Sequence, residues 1–187
     1  MAGHIYYGFA VSLDGYIANS KGDIGLPVPE EALHRHFNEM QERTALNLYG
    51  RNMYEVMRYW DAPPAESSEF ELEYARAWQK TPKVVFSSTL DGVGPNARLV
   101  KEKADVERTV RQLKADTNGQ IEVNGAGLAA SLIRFGLVDE FRLYVMPVVL
   151  GGGKPYFEAG LQLELEPLGV ESLPQQCTLL RFRPKNG

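Results

Sequence analysis

The feature that most constrains this chain is an alternation. Short β-prone apolar runs recur between segments whose apolar residues follow a helical period. The runs cover residues 4–11, 16–18, 45–49, 83–86, 98–100, 120–124 and 140–150. The helical segments cover about 29–43, 52–59, from 68 onward, 106–118 and 126–135. Ser68 with Glu71 forms a capping box, and Gly136 is placed to stop the last helix. Alternation of this kind implies an α/β sandwich around a mainly parallel sheet. Residues 163–183 read as a closing antiparallel pair with no helix between, which makes the sheet mixed. Ligands of such sheets lie beyond the carboxyl ends of the strands.

At 187 residues the chain suits one domain with a full core. It carries 20 Lys and Arg against 24 Asp and Glu, a net charge of −4, and no basic residue precedes Lys21. A nucleic-acid footprint is not expected from that balance. The single cysteine, Cys177, excludes an internal disulfide and a cysteine-based zinc site, and it leads an apolar run that suits a buried thiol. The chain starts without a signal-peptide layout, and no apolar run is long enough for a membrane span. A soluble, cytoplasmic protein is the expectation.

Three strand ends carry unusual residues. Asn124-Gly125-Ala126-Gly127 joins a strand to a helix, where close backbone approach and free N–H groups suit a pyrophosphate; a tight structural turn is the alternative. Gly50-Arg51 opens a short helix, and an Arg there pairs bidentately with a phosphate or with a surface carboxylate. Ser87-Ser88-Thr89 offers hydroxyls to a ligand or to a turn.

Glu30 falls in the first turn of the first helix, on the side of Leu33, Phe37 and Met40, where a carboxyl can relay a proton or complement the helix dipole. Glu31, His34, Arg35 and Asn38 fall on the wet side. Phe70, Tyr74 and Ala77 form the buried stripe of the third helix. His34 and His36 stand about 200° apart on a helix and cannot share a metal, so none is expected. Asp14 lines a site or caps a turn, and Gly151-Gly152-Gly153-Lys154 binds an anion or is a flexible connection.

Six segments occur in an order that resembles one family. They are Ser12-Leu13-Asp14-Gly15-Tyr16-Ile17-Ala18, Gly50-Arg51-Asn52-Met53-Tyr54-Glu55, Val84-Val85-Phe86-Ser87, Asn124-Gly125-Ala126-Gly127, Gly136-Leu137-Val138-Asp139-Glu140 and Pro147-Val148-Val149-Leu150-Gly151-Gly152-Gly153. They are similar to the signature segments of the dihydrofolate-reductase-like family that includes the reductase half of the bacterial bifunctional riboflavin deaminase–reductase.

The resemblance implies a three-layer α/β/α fold and NADPH as hydride donor. It implies Gly50, Arg51, Asn52 and Met53 toward the 2′-phosphate, Ser87 and Ser88 at the adenosine, and Asn124, Gly125, Ala126, Gly127 and Leu128 at the pyrophosphate. Val11, Asp14 and Ile17 would border the nicotinamide. The chain departs from the family at Met53, where Thr is usual, and lacks the deaminase half. The stretch Val56-Met57-Arg58-Tyr59-Trp60 does not match the residues that hold a phosphoribosyl substrate.

The reading is therefore a reductase for a small flat heterocycle, pterin- or pyrimidine-like. Tyr16, Trp60 and Tyr156 would stack on the substrate, Glu30 would relay the proton, and Asp14 would be the reserve. A nucleotide- or pterin-binding protein without catalysis is the alternative. A homodimer is expected, burying apolar surface of the strand at 141–146 and of the C-terminal pair.

Overall fold

The computed structural model describes residues 2–185. The chain runs β1 (His4–Ser12), β2 (Tyr16–Ala18), α1 (Glu31–Arg43), β3 (Thr44–Gly50), α2 (Arg51–Met57), α3 (Glu69–Lys80), β4 (Lys83–Phe86) and β5 (Ala97–Val100). It continues through α4 (Val106–Asp116), β6 (Gln120–Asn124), α5 (Ala126–Arg134), β7 (Glu140–Met146), β8 (Lys154–Pro155), β9 (Leu165–Ser172) and β10 (Thr178–Pro184). Eight strands form one sheet in the order β5-β4-β3-β6-β1-β7-β10-β9, and β2 pairs with β8 apart from it. The pairs from β5 to β7 are parallel, and β10 runs antiparallel to both neighbours.

Helices cover both faces, which makes three layers. On one face Ile5, Tyr7 and Val11 of β1, Leu46 and Leu48 of β3, and Ile121 and Val123 of β6 pack under α4 and α5. On the other, α1 brings Leu33 and Phe37 against Ala10, Tyr144 and Met146, and α2 and α3 bring Tyr54 and Trp78 against Tyr49 and Val85. Period-two alternation in each strand divides these faces.

Local signals place the helix ends. Ser68 and Glu71 close the expected capping box on α3. Gly136 adopts φ +65, and the bonds Gly136 N–H to Ile133 O and Leu137 N–H to Leu132 O close a Schellman motif after α5.

Four expectations change. The first helix begins at Glu31 rather than near Pro29, so Glu30 is its N-cap, outside the first turn. On α1 the expected wet side holds for Glu31 and Arg35, which are exposed, but Asn38 is buried and His34 half-buried, because α3 packs across them. On α3, Ala75 and Trp78 are the buried residues, while Phe70, Tyr74 and Ala77 are half-buried. The seventh strand ends at Met146, not at 150; Pro147 has no N–H to continue the ladder, and Val148 turns to accept a bond from Leu13 N–H.

β7 is also largely buried within the chain, between β1 and β10, so it offers little surface to a second copy. The exposed apolar residues of this end are Leu168 and Val170 on the edge strand β9. Among the described residues no helix is long and apolar enough to cross a membrane.

The glycine run at 151–153 is a fitted connection rather than a flexible one. A Cβ on Gly153 would lie 2.0 Å from the Ala18 carbonyl oxygen, at φ +134. Gly151 has φ +73 but open space around it. Gly153→Ala should therefore lower stability by more than about 2 kcal/mol, since both strain and a backbone clash apply. Gly151→Ala should cost about 1 kcal/mol from its left-handed backbone alone. Chemical denaturation of the two variants checks the ranking; equal losses would contradict it.

Candidate functional site

β6 is late in the chain yet sits between β3 and β1, so the carboxyl ends of three parallel strands open on one crevice. α2 leaves β3 there and α5 leaves β6. Their starts nearly touch: a Cβ on Gly125 would lie 3.4 Å from Met53 Cβ and 3.8 Å from Gly50 N. Gly125 has φ +111, which an L side chain rarely adopts. Gly50 in turn lies against Leu128, which is buried. Gly127 and Asn52 face outward, and a Cβ on Gly127 would meet no protein atom. The starts of α2 and α5 thus lie close together, with Met53 and Leu128 packed beside the two glycines.

A cleft of about 270 Å³ extends this crevice across the ends of β3, β4 and β5. Arg51, Ser87, Ser88 and Thr89 line it, together with Lys101, Glu102 and Lys103. The Arg51 guanidinium donates to Thr89 Oγ1 at 3.0 Å and to the Glu55 carboxylate at 3.3 Å. Ser87 is buried, and its Oγ accepts from the N–H groups of Thr89 and Leu90, so its hydroxyl shapes the turn. Ser88 is exposed at the rim. Lys101 and Lys103 escaped the sequence reading, although Lys101 follows β5 directly and the strand-end rule reaches it.

The acids chosen from sequence are not placed for proton transfer. Glu30 is exposed at the N-cap, with its backbone N–H bound to Gln175 Oε1. The Asp14 carboxylate accepts from Leu150 N–H at 3.0 Å and Gly151 N–H at 2.7 Å. Ser12 and those two amides hold its pKa below the ordinary carboxylate value, so it stays ionised and ties the glycine run to the β1 turn. Tyr156 is 3% exposed, stacked on Tyr7 at 4.3 Å with its hydroxyl donating to Tyr7 O, and offers no face to a substrate. Val11 and Ile17 belong to the same core. Tyr16 is half-buried beside Pro155. Trp60 is half-buried in an aromatic group with Tyr74, at 4.8 Å, and His34, at 6.0 Å.

The sheet face beneath that group is polar. β6 presents Glu122 and Asn124 to it, β3 presents Asn47 and Tyr49, and β1 presents Tyr6, Gly8 and Ala10. Gly8 and Ala10 are half-buried: a Cβ on Gly8 would lie 3.4 Å from the Tyr6 ring, and Ala10 packs against the group of Leu33, Tyr144 and Met146. Asn124 donates to Asn47 Oδ1 at 3.3 Å. Glu122 is half-buried and makes no ion pair among the described residues. Arg142 lies over the Tyr6 ring at 3.9 Å, but Glu140 holds its guanidinium through two bonds of 2.8 and 3.1 Å. Burial pushes the Glu122 carboxyl up to about 7, against the pull of Asn124, Arg142 and Tyr6. Central parallel strands are buried on both faces and are usually apolar throughout. A glutamate inside 120–124 was therefore a signal available in the sequence.

Comparison with other proteins gives the same architecture. The family model for the RibD C-terminal domain matches residues 3–179. The uncharacterized protein YyaP of Bacillus subtilis is 32% identical over 149 residues, covering 79% of this chain and 77% of that protein. A putative riboflavin biosynthesis protein from Shewanella superposes with a TM-score of 0.71 at 23% identity over the whole of both chains. The diaminohydroxyphosphoribosylaminopyrimidine deaminase/5-amino-6-(5-phosphoribosylamino)uracil reductase of Thermotoga maritima gives 0.68 at 15% identity, over 98% of this chain and 57% of that one. Dihydrofolate reductase from Enterococcus faecalis gives 0.64 at 14% identity, over 100% of this chain and 99% of that one. The fold is dihydrofolate-reductase-like, as the six segments implied.

The raised Glu122 carboxyl has a stability consequence. Its folded pKa of about 7 exceeds the ordinary value of 4.5, so the folded state holds the proton more tightly. Its stabilisation is complete below 4.5 and is lost as pH rises through about 7. Glu122→Gln, which never ionises, should gain about 2 kcal/mol on the wild type at pH 8.5 and little at pH 5. Urea unfolding at the two pH values measures this; a gain of equal size at both would contradict it.

Proposed function

This chain belongs to the RibD C-terminal domain family, and on that premise we propose that it is an NADPH-dependent reductase of a small pterin- or pyrimidine-like heterocycle. The observation that carries the reading is the cationic cleft at the ends of β3, β4 and β5. Arg51, Lys101 and Lys103 line it with Glu102 and the exposed Ser88, and the three cations outnumber the acid, which suits the phosphate of a 2′-phosphorylated adenosine. The close approach of Gly50 and Gly125 suits a bridging pyrophosphate between that cleft and the crevice above β1 and β6. The cofactor supplies the hydride when bound; the chain orients it and excludes water.

Met53 fits this reading better than its departure from the family pattern suggests. A Cβ on Gly125 would lie in van der Waals contact with Met53 Cβ, so Met53 packs beside the turn. The polar sheet face with the Trp60, Tyr74 and His34 rings above it is the proposed seat of the heterocycle. We infer a homodimer as well, now through β9, whose exposed Leu168 and Val170 lie on an unpaired strand edge. Light scattering at micromolar concentration tests it, and a monomeric mass would remove it.

Arg51→Ala should weaken NADPH binding about tenfold and leave NADH nearly unchanged, because only NADPH carries the phosphate that the guanidinium would meet. Lys101→Ala should act in the same direction and shrink in high salt. Gly125→Val should abolish binding of both dinucleotides while the protein still folds, whereas Gly127→Ala meets no protein atom. Fluorescence titration of each variant with both dinucleotides measures these effects. Equal losses of NADPH and NADH in Arg51→Ala would sink the phosphate assignment.

A further inference from the structure

We propose that Thr89 is a specificity-determining residue of the cationic cleft: its hydroxyl donates to the 2′-phosphate of the bound dinucleotide, beside the Arg51 guanidinium. This assignment rests on the reductase reading above. Protons and lone pairs along one chain of side chains leave Thr89 with a donor and nothing else to offer.

Ser87, directly after β4, is 8% exposed. Its Oγ accepts from Thr89 N–H at 3.2 Å and from Leu90 N–H at 3.1 Å. A hydroxyl oxygen has two lone pairs, and both are then taken. In the 3.4 Å contact between Ser87 Oγ and Thr89 Oγ1, Ser87 is therefore the donor. Thr89 Oγ1 also accepts from Arg51 Nη1 at 3.0 Å, and a guanidinium can only donate. Ser87 and Arg51 thus use both lone pairs of Thr89. The Thr89 proton has no acceptor among the described residues. Thr89 is exposed and lines the cleft, so that proton is open to a ligand there.

The rest of the cleft has the same polarity. Glu55 takes the Arg51 Nε–H, at 3.3 and 3.4 Å from its two oxygens, which leaves Nη2 without a partner among the described residues. Ser87 N–H donates to Val100 O at 3.0 Å and ties the turn to the end of β5, where Lys101 follows. One turn therefore links Arg51 of α2 to the strand end that carries Lys101. A phosphate ester presents only acceptors, and they are charged, so it matches Arg51 Nη2, the Thr89 hydroxyl and the two lysines. A ribose 2′-hydroxyl has no charge and must place a proton of its own among donors. A hydrogen bond to a charged oxygen is also about twice as strong as one to a neutral oxygen. Thr89 thereby favours the phosphorylated dinucleotide over the plain one.

Thr89→Val keeps the shape of the side chain and removes the hydroxyl. In fluorescence titrations it should lower the NADPH-to-NADH affinity ratio about tenfold, and Thr89→Ser should keep the wild-type ratio. A residue that only steadied Arg51 would have no effect once Arg51 is gone. The same substitution is therefore made in Arg51→Ala, where it should still lower NADPH affinity about threefold or more. No further loss in that background would overturn the assignment, and so would an unchanged ratio in Thr89→Val alone; either result leaves the reductase reading in place. Wild-type protein that binds neither dinucleotide would instead remove the reductase reading, and the role of Thr89 with it.

Discussion

The late strand β6 inserts between β1 and β3, and the rest of the molecule is arranged around that insertion. It reverses the direction in which the chain builds the sheet, so connections leave the ends of adjacent strands toward opposite sides. An opening follows at the carboxyl ends that no helix can fill. The starts of α2 and α5 come close to each other there, and the φ of +111 at 125 favours glycine. The Gly50 and Gly125 turns lie at that opening, and Arg51 leads from it to the cleft that Ser88, Lys101 and Lys103 line.

The two faces of the sheet are held by different physics. Under α4 and α5 the contacts are aliphatic and non-directional, and burial of apolar area is sufficient. Under α1 and α3 the interior is partly polar, and each group requires a partner. Asn38 donates to Phe70 O, Gln41 to Thr81 Oγ1, and Asn124 to Asn47 Oδ1. Such a network ties α1 to α3 and to β3 in one arrangement, since losing one partner leaves another buried and unsatisfied. Polar interiors with defined partners hold their geometry.

Much of the site was legible because strand-end residues need no tertiary information to be located. Arg51, Ser88 and the turn at 124–127 follow from strand boundaries alone; in the fold Arg51 and Ser88 line one cleft, and the turn lies beside Gly50 and Met53. The two acids could not be placed by the same route. Helical period puts Glu30 on an apolar face only if the helix starts at Pro29, and a start two residues later leaves it at an exposed cap. Asp14 was visible as a turn residue, but its partners Leu150 and Gly151 lie 136 and 137 positions away. Tyr156 looked like a free aromatic in a loop, and only the folded chain shows it stacked on Tyr7.

Taken alone, the order of residues determined the alternation of strands and helices, the capping box at Ser68, the stop at Gly136 and the antiparallel closing pair. These depend on side chains within a few positions of one another, where period and backbone preference act. The tertiary structure decided which charged groups share a cleft, which polar residues become interior, and where a carboxyl is held near neutral. Those properties depend on distances between segments remote in the chain and on how much water remains between them. Glu122 is the clearest case: its place within β6 was plain from alternation, but its proton affinity is set by Tyr6, Asn124, Arg142 and the helices laid over them.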